Sequence, residues 1–152
     1  MIFRGINNLT LDAKGRMAIP SRYRDKIMES CGGRLIVTVD QDRCLMVYPL
    51  HEWEVVEAKL AALSSTNKRT RLMKRLLIGH ATEAELDSQG RILLPTLLRE
   101  YAGLDKKCIL IGQGNKFEIW DEQLWTENQQ VWLDEAENDE GDLPEALENL
   151  SF

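Results

Sequence analysis

Two short stretches pair an aspartate with an arginine four residues further on, across a glycine. They are Asp12-Ala13-Lys14-Gly15-Arg16 and Asp87-Ser88-Gln89-Gly90-Arg91. Three chemistries could use such a set. The carboxylate can hold the amides of a turn, and with them its own arginine, as a structural latch. The guanidinium can donate two parallel hydrogen bonds to a phosphate or to the edge of a guanine. Twin aspartates from related repeats could also share a proton as a carboxylate dyad. The dyad fits worst, because neither aspartate is followed directly by Ser/Thr-Gly and each opens a polar or basic turn. His51 and His80 have no nucleophile pattern beside them, and no glycine-rich phosphate loop precedes a helix. No residue is expected to be catalytic, and the chain is not expected to be an enzyme. Cys31, Cys44 and Cys108 form no CxxC pair, so they read as reduced core residues of a cytoplasmic protein, with no metal and no cofactor.

The two stretches belong to a longer self-match. Leu11 to Asp25 aligns without a gap on Leu86 to Glu100, 75 positions later, sharing Leu, Asp, Gly, Arg, Pro and the late Arg24/Arg99. A fixed-offset match sets the architecture before any single residue does. Leu35 to Val39 answers to Cys108 to Ile111, and Leu45 to Pro49, ending at Trp53, answers to Phe117 to Asp121, ending at Trp125. The chain is therefore expected to be a tandem of two half-domains, each near the size at which a lone core is marginal.

Each motif needs strands on either side of its turn. Asn7 to Leu11 and Arg16 to Ile19 alternate as the arms of a hairpin. Ser21 is expected to cap a short helix reaching about Ser30, which Cys31-Gly32-Gly33 ends. Leu35 to Val39 and Leu45 to Tyr48 read as buried strands, so one repeat reads β-β-α-β-β. Trp53, Val56, Leu60 and Leu63 have helical spacing, and Lys68 to Ile78 starts a second helix with Lys68, Arg71 and Arg75 on its polar side. That basic side is either solvated, placed between subunits or in contact with phosphate. A helix is expected from Asp121 to about Leu133. Beyond it, Asp134 to Glu148 carries eight acids and no base, with at most a frayed helix near Leu143 to Leu150. The expected divisions are repeat one at 5–52, linking helices at 53–80, repeat two at 81–124, and a C-terminal helix with acidic tail at 125–152.

Charge separates the halves. Residues 1–75 hold 14 Lys and Arg against 8 Asp and Glu, and residues 76–152 hold 5 against 17. The first half is the one suited to an anion. Within the motif, Lys14, Arg16, Arg22 and Arg24 face two acids, whereas the second copy has Gln89 for Lys14 and Leu97 for Arg22. The shared Asp and Arg fit a structural role in both copies, and the extra bases mark the first as the contact surface. No apolar run approaches the ~20 residues of a membrane helix.

The doubled Asp-x-x-x-Arg, its Gly-Arg-…-Pro context and the Gly79-His80-Ala81 entry to the second copy resemble the MraZ family over nearly the whole chain. The resemblance implies an α+β fold of two tandem SpoVT-AbrB half-domains, with swapped hairpins forming one pseudo-symmetric, β-barrel-like domain flanked by helices. It implies a cytoplasmic, nucleoid-associated, ring-like homo-oligomer. That ring would bind short G-rich direct repeats in double-stranded DNA and repress its own division and cell-wall gene cluster. The family's DNA-contacting arginine falls on Arg16, and the basic surplus of the first copy adds Lys14, Arg22, Arg24 and Arg4 as expected contacts. Asp12, Gly15, Asp87, Gly90 and Arg91 are then motif residues, Arg91 being the open case. The rival is an antitoxin-like or scaffolding module that binds protein only. RNA is a further alternative, for which the motif offers a single aromatic, Tyr23.

Overall fold

The computed structural model describes residues 2–138 and 144–150. The chain divides into two units, residues 1–122 and 123–152.

The first unit is α+β, and each repeat contributes the β-β-α-β-β order. Repeat one supplies β1 (Phe3–Thr10), β2 (Arg16–Ala18), α1 (Ser21–Cys31), β3 (Arg34–Val39) and β4 (Leu45–Pro49). Two helices follow, α2 (Leu50–Ala62) and α3 (Lys68–Leu77). Repeat two supplies β5 (Thr82–Glu85), β6 (Arg91–Leu93), α4 (Thr96–Tyr101), β7 (Lys107–Gly114) and β8 (Phe117–Asp121). The second unit holds α5 (Glu122–Asn138), whose first residue closes the first unit, and α6 (Glu145–Glu148). Thus α5 runs past the expected Leu133 into the acidic stretch, and part of the expected tail helix lies outside the described residues. Among the described residues no helix is long and apolar enough to cross a membrane.

Six strands form one antiparallel sheet in the order β1-β7-β8-β4-β3-β5, and β2 pairs with β6 in a separate two-stranded ribbon. The first strand of each repeat therefore leaves its own repeat. β1 lies on β7, Phe3 opposite Gly114 through Thr10 opposite Lys107, and β5 lies on β3. β1 is longer than its expected Asn7 start because its partner in the other repeat extends the ladder back to Phe3.

The ribbon buries Met17 and Ile92 and turns Arg16, Ala18, Arg91 and Leu93 the other way. Beneath it, Ile19, Leu94, Tyr23, Ile27 and Leu98 join Leu35, Val37, Leu45, Leu110, Phe117 and Ile119 of the sheet in one core. Phe3 and Phe117 stack at 4.1 Å between ring centroids, with Tyr23 edge-on to Phe117 at 4.9 Å. A smaller cluster of Ile36, Met46, Tyr48 and Trp53 covers the other face of β3 and β4. Strands buried on both faces read as near-continuous apolar runs, as β4 does and as β3 does from Leu35 on, apart from Thr38, whose hydroxyl donates to the Leu77 carbonyl.

Ser21 is not the N-cap of α1. Pro20 is, and its carbonyl accepts from the amides of Tyr23 and Arg24. All four prolines of the chain, Pro20, Pro49, Pro95 and Pro144, sit at helix N-caps with φ between −53° and −60°. A proline loses no ladder bond there, because the N–H it lacks has no helical acceptor. At the far end of α1, Gly32 and Gly33 return amides to Met28 and Ile27, the left-handed termination their sequence anticipates.

Candidate nucleic-acid interface

The motif builds two matching turns. The amide of Asp12 donates to the carbonyl of Arg16 at 3.0 Å, enclosing a three-residue loop that ends in Gly15 at φ +86°. Asp12 Oδ1 accepts the amides of Lys14 (2.9 Å) and Arg16 (2.8 Å), while Oδ2 accepts Arg16 Nε at 2.7 Å. In the second turn, Asp87 takes the amides of Gln89 and Arg91 at 2.8 and 2.9 Å and Arg91 Nε at 2.9 Å, and Gly90 has φ +73°. The Arg16 amide does most to hold the Asp12 carboxyl down at about 2, and the Arg91 amide lowers Asp87 in the same way. Both aspartates are thus anions at any physiological pH.

Latch and reader are compatible roles for this arginine. The aspartate occupies only Nε. Among the described residues neither Arg16 nor Arg91 gives an Nη atom to a protein acceptor. The carboxylate fixes the guanidinium plane and leaves its two-nitrogen edge for an outside acceptor. Arg16 stands opposite Leu93 and Arg91 opposite Ala18, which makes the two arginines diagonal neighbours on the outward face of the ribbon.

The remaining candidates are dispersed. Lys14 is exposed beside Arg16. Arg22 is braced, Nη2 donating to Asn7 Oδ1 (2.6 Å) and to the Tyr23 hydroxyl (2.8 Å), with its guanidinium 4.7 Å from the Tyr23 ring. Arg4 is exposed on β1, its carbonyl accepting from the Tyr23 hydroxyl at 2.6 Å. Arg24 lies at the other turn: Nε donates to the Ile19 carbonyl at 2.6 Å, and a Cβ on Gly90 would come within 2.4 Å of its side chain.

Arg99 mirrors this arrangement, and sequence reasoning missed its place. Its Nε donates to the Leu94 carbonyl at 2.9 Å, and a Cβ on Gly15 would fall 2.7 Å from its guanidinium. The Ile19 amide bonds the Gly90 carbonyl and the Leu94 amide bonds that of Gly15, both at 2.9 Å. Each repeat's late arginine therefore roofs the other repeat's glycine. The available signal was that Gly and late Arg are shared by both copies.

Elsewhere, Asp40, Cys44 and Glu118 bring three donor atoms within 4.8 Å of one another, the one group that could hold a metal among the described residues. Two of them are engaged: the Cys44 thiol donates to Asp40 and Glu118 accepts from Trp120 Nε1 at 2.9 Å. Burial pushes the Cys44 thiol far up, and burial also raises Glu118. On α3, Arg71 donates to the carbonyls of Ser65 and Thr66, so part of the basic side closes the turn from α2.

A protein-family model described as "MraZ protein, putative antitoxin-like" matches this chain twice, over residues 2–76 and 77–142. The chain belongs to the MraZ family. A protein of Thioalkalivibrio sulfidiphilus named "Transcriptional regulator MraZ" is 57% identical over 152 residues, covering 99% of this chain and 100% of that protein. One of the same name from Methylococcus capsulatus is 58% identical over 135 residues, 89% of each chain. Another from Pseudomonas aeruginosa is 53% identical over 150 residues, covering 98% and 99%. The two MraZ matches begin 75 residues apart, the offset at which the paired latches recur.

Proposed function

We propose that the protein is a sequence-specific, double-stranded-DNA-binding transcriptional regulator, a repressor of its own division and cell-wall gene cluster. It reads short G-rich direct repeats with the turns of the β2–β6 ribbon, Arg16 contacting bases and Lys14, Arg22, Arg24 and Arg4 assisting. The supporting observation is the pair of latched arginines on the outward face of a two-stranded ribbon, an element that fits the major groove. The reading includes cytoplasmic, nucleoid-associated ring-like oligomers of AbrB-type, barrel-like swapped-hairpin units, and the exchange of β1 and β5 between repeats favours that arrangement. A ring would engage successive repeats with avidity, without new contacts in any one module. The second reading is an antitoxin-like module that binds only protein, which the family description favours.

Arg16→Ala separates the two. On duplex from the protein's own upstream region, loss of a bidentate base contact should cost about 1–3 kcal/mol per engaged module. Oligomer size by light scattering should stay unchanged. Equal binding by both proteins would make Arg16 a latch only, and failure of the wild type to prefer its upstream duplex would overturn the DNA reading.

A further inference from the structure

We propose that Arg99 and Lys106 of the second repeat form a phosphate-binding subsite beside the first turn, so that one DNA surface is assembled from both repeats. The proposal rests on the DNA-reading function above and adds two contacts from the second repeat to the surface of the first turn.

An open cleft of about 420 Å³ lies against the first turn, with Asp12, Arg99, Asp105 and Lys106 as its charged walls. Arg99 is held from two sides, by the Leu94 carbonyl through Nε and by Thr96 Oγ1, 3.0 Å from Nη2. Among the described residues its Nη1 has no acceptor, and neither has Lys106 Nζ. Lys106 is fixed at its backbone, where its carbonyl accepts the Leu11 amide at 2.8 Å. The Asp12 charge is paired with Arg16 through its Nε, which leaves Asp105, whose carboxylate takes no hydrogen bond among the described residues, against two bases. A site with a planar guanidinium and a flexible ammonium, one positive charge in excess, suits a phosphodiester oxygen pair.

The second turn lacks this subsite for a definite reason. There the Leu86 amide donates to the carbonyl of Gly33, the counterpart of the Leu11–Lys106 bond. The equivalent of Lys106 is thus a glycine, at φ +84°, where a Cβ would sit 2.9 Å from Met28 Sδ. Arg24 has no counterpart of the Thr96 anchor: among the described residues Ser21 gives it no hydrogen bond. Grouped by position in space, the first turn gathers Lys14, Arg16, Arg99 and Lys106, whereas the second has Arg91 and Arg24, with Gln89 and Gly33 where the first has Lys14 and Lys106.

The test measures binding of the full chain to its upstream duplex and to unrelated duplex across a salt series. Lys106→Gln should lower the log–log salt slope by about 1 for each engaged protomer and weaken both duplexes alike, as loss of a phosphate contact does. Arg99→Gln should do the same and Arg99→Lys restore the slope, with melting followed on both because Arg99 also roofs Gly15. Asp105→Asn should bind more tightly, and Lys59→Gln on α2 should match wild type. If Arg16→Ala loses specific binding while Lys106→Gln and Arg99→Gln keep the wild-type slope, the DNA reading survives and the subsite falls. If the wild-type chain binds neither duplex, both fall.

Discussion

The two turns share one latch to within 0.2 Å in each of its three hydrogen bonds, yet their surroundings differ. The latch is a local device: Asp, Gly and Arg within five residues close it, so any copy of the motif carries it. The surroundings come from the opposite repeat, because strand exchange sets Arg99 on Gly15 and Arg24 on Gly90. Duplication fixed the geometry of the turn, and the partner repeat decides how much charge stands around it.

The largest effect should come from filling a roofed glycine. Alanine at Gly15 must hold φ +86°, which costs about 1–2 kcal/mol in the left-handed region. It must also displace Arg99, so urea unfolding of Gly15→Ala should show a loss beyond that figure. Gly15→Ala combined with Arg99→Ala removes the collision but keeps the backbone cost, so the double mutant should be more stable than the two single losses predict. Gly90→Ala with Arg24→Ala should behave alike. Simple additivity at both turns would break the comparison at its root.

A smaller contrast concerns binding. Arg91 presents the same free guanidinium edge as Arg16 but has Gln89 beside it and Gly33 in place of Lys106. Arg91→Ala should therefore weaken specific binding less than Arg16→Ala, and Gln89→Lys should bring the second turn toward the first by raising the salt slope. Equal losses for the two arginines would mean that the ribbon reads DNA symmetrically and that the extra bases around the first turn are solvated.

Much of this was legible in the residues. The self-match at an offset of 75, the β-β-α-β-β order and the helical spacing of Trp53, Val56 and Leu60 are carried by the residues themselves, and the structure shows that order in both repeats and a helix over Leu50–Ala62. Strand partners are not local. An alternating strand such as β1 carries no mark of which β7-like strand it will pair with, since two similar repeats offer two similar edges. Tallying charge by position in sequence therefore assigned Arg24 to the first turn and Arg99 to the second, the reverse of their places. The rule that residues shared by both copies are structural, applied to the late arginine, would have corrected this. The helix cap shows a further limit: Ser21 is a good N-cap by type, but Pro20 reaches the extended cap conformation, ψ 141°, one residue earlier.

In acid the two turns share one electrostatic property. Both aspartates are lowered, Asp12 to about 2 from 3.8, with the backbone amide of its own arginine as the main cause in each case. A folded pKa below the unfolded one means that the latch's stabilisation is complete above about 3.8 and is lost as pH falls toward 2. At neutral pH the latch does not titrate, so DNA binding near pH 7 should owe none of its pH dependence to Asp12 or Asp87. Carboxyl NMR titration should find Asp12 still ionised at pH 3. The melting temperature of Asp12→Asn should lie below wild type at pH 5, and the gap should close as pH approaches 2. A gap that stayed constant down to pH 2 would mean that the ionised carboxylate contributes nothing and that the glycine turn alone holds Arg16 in place.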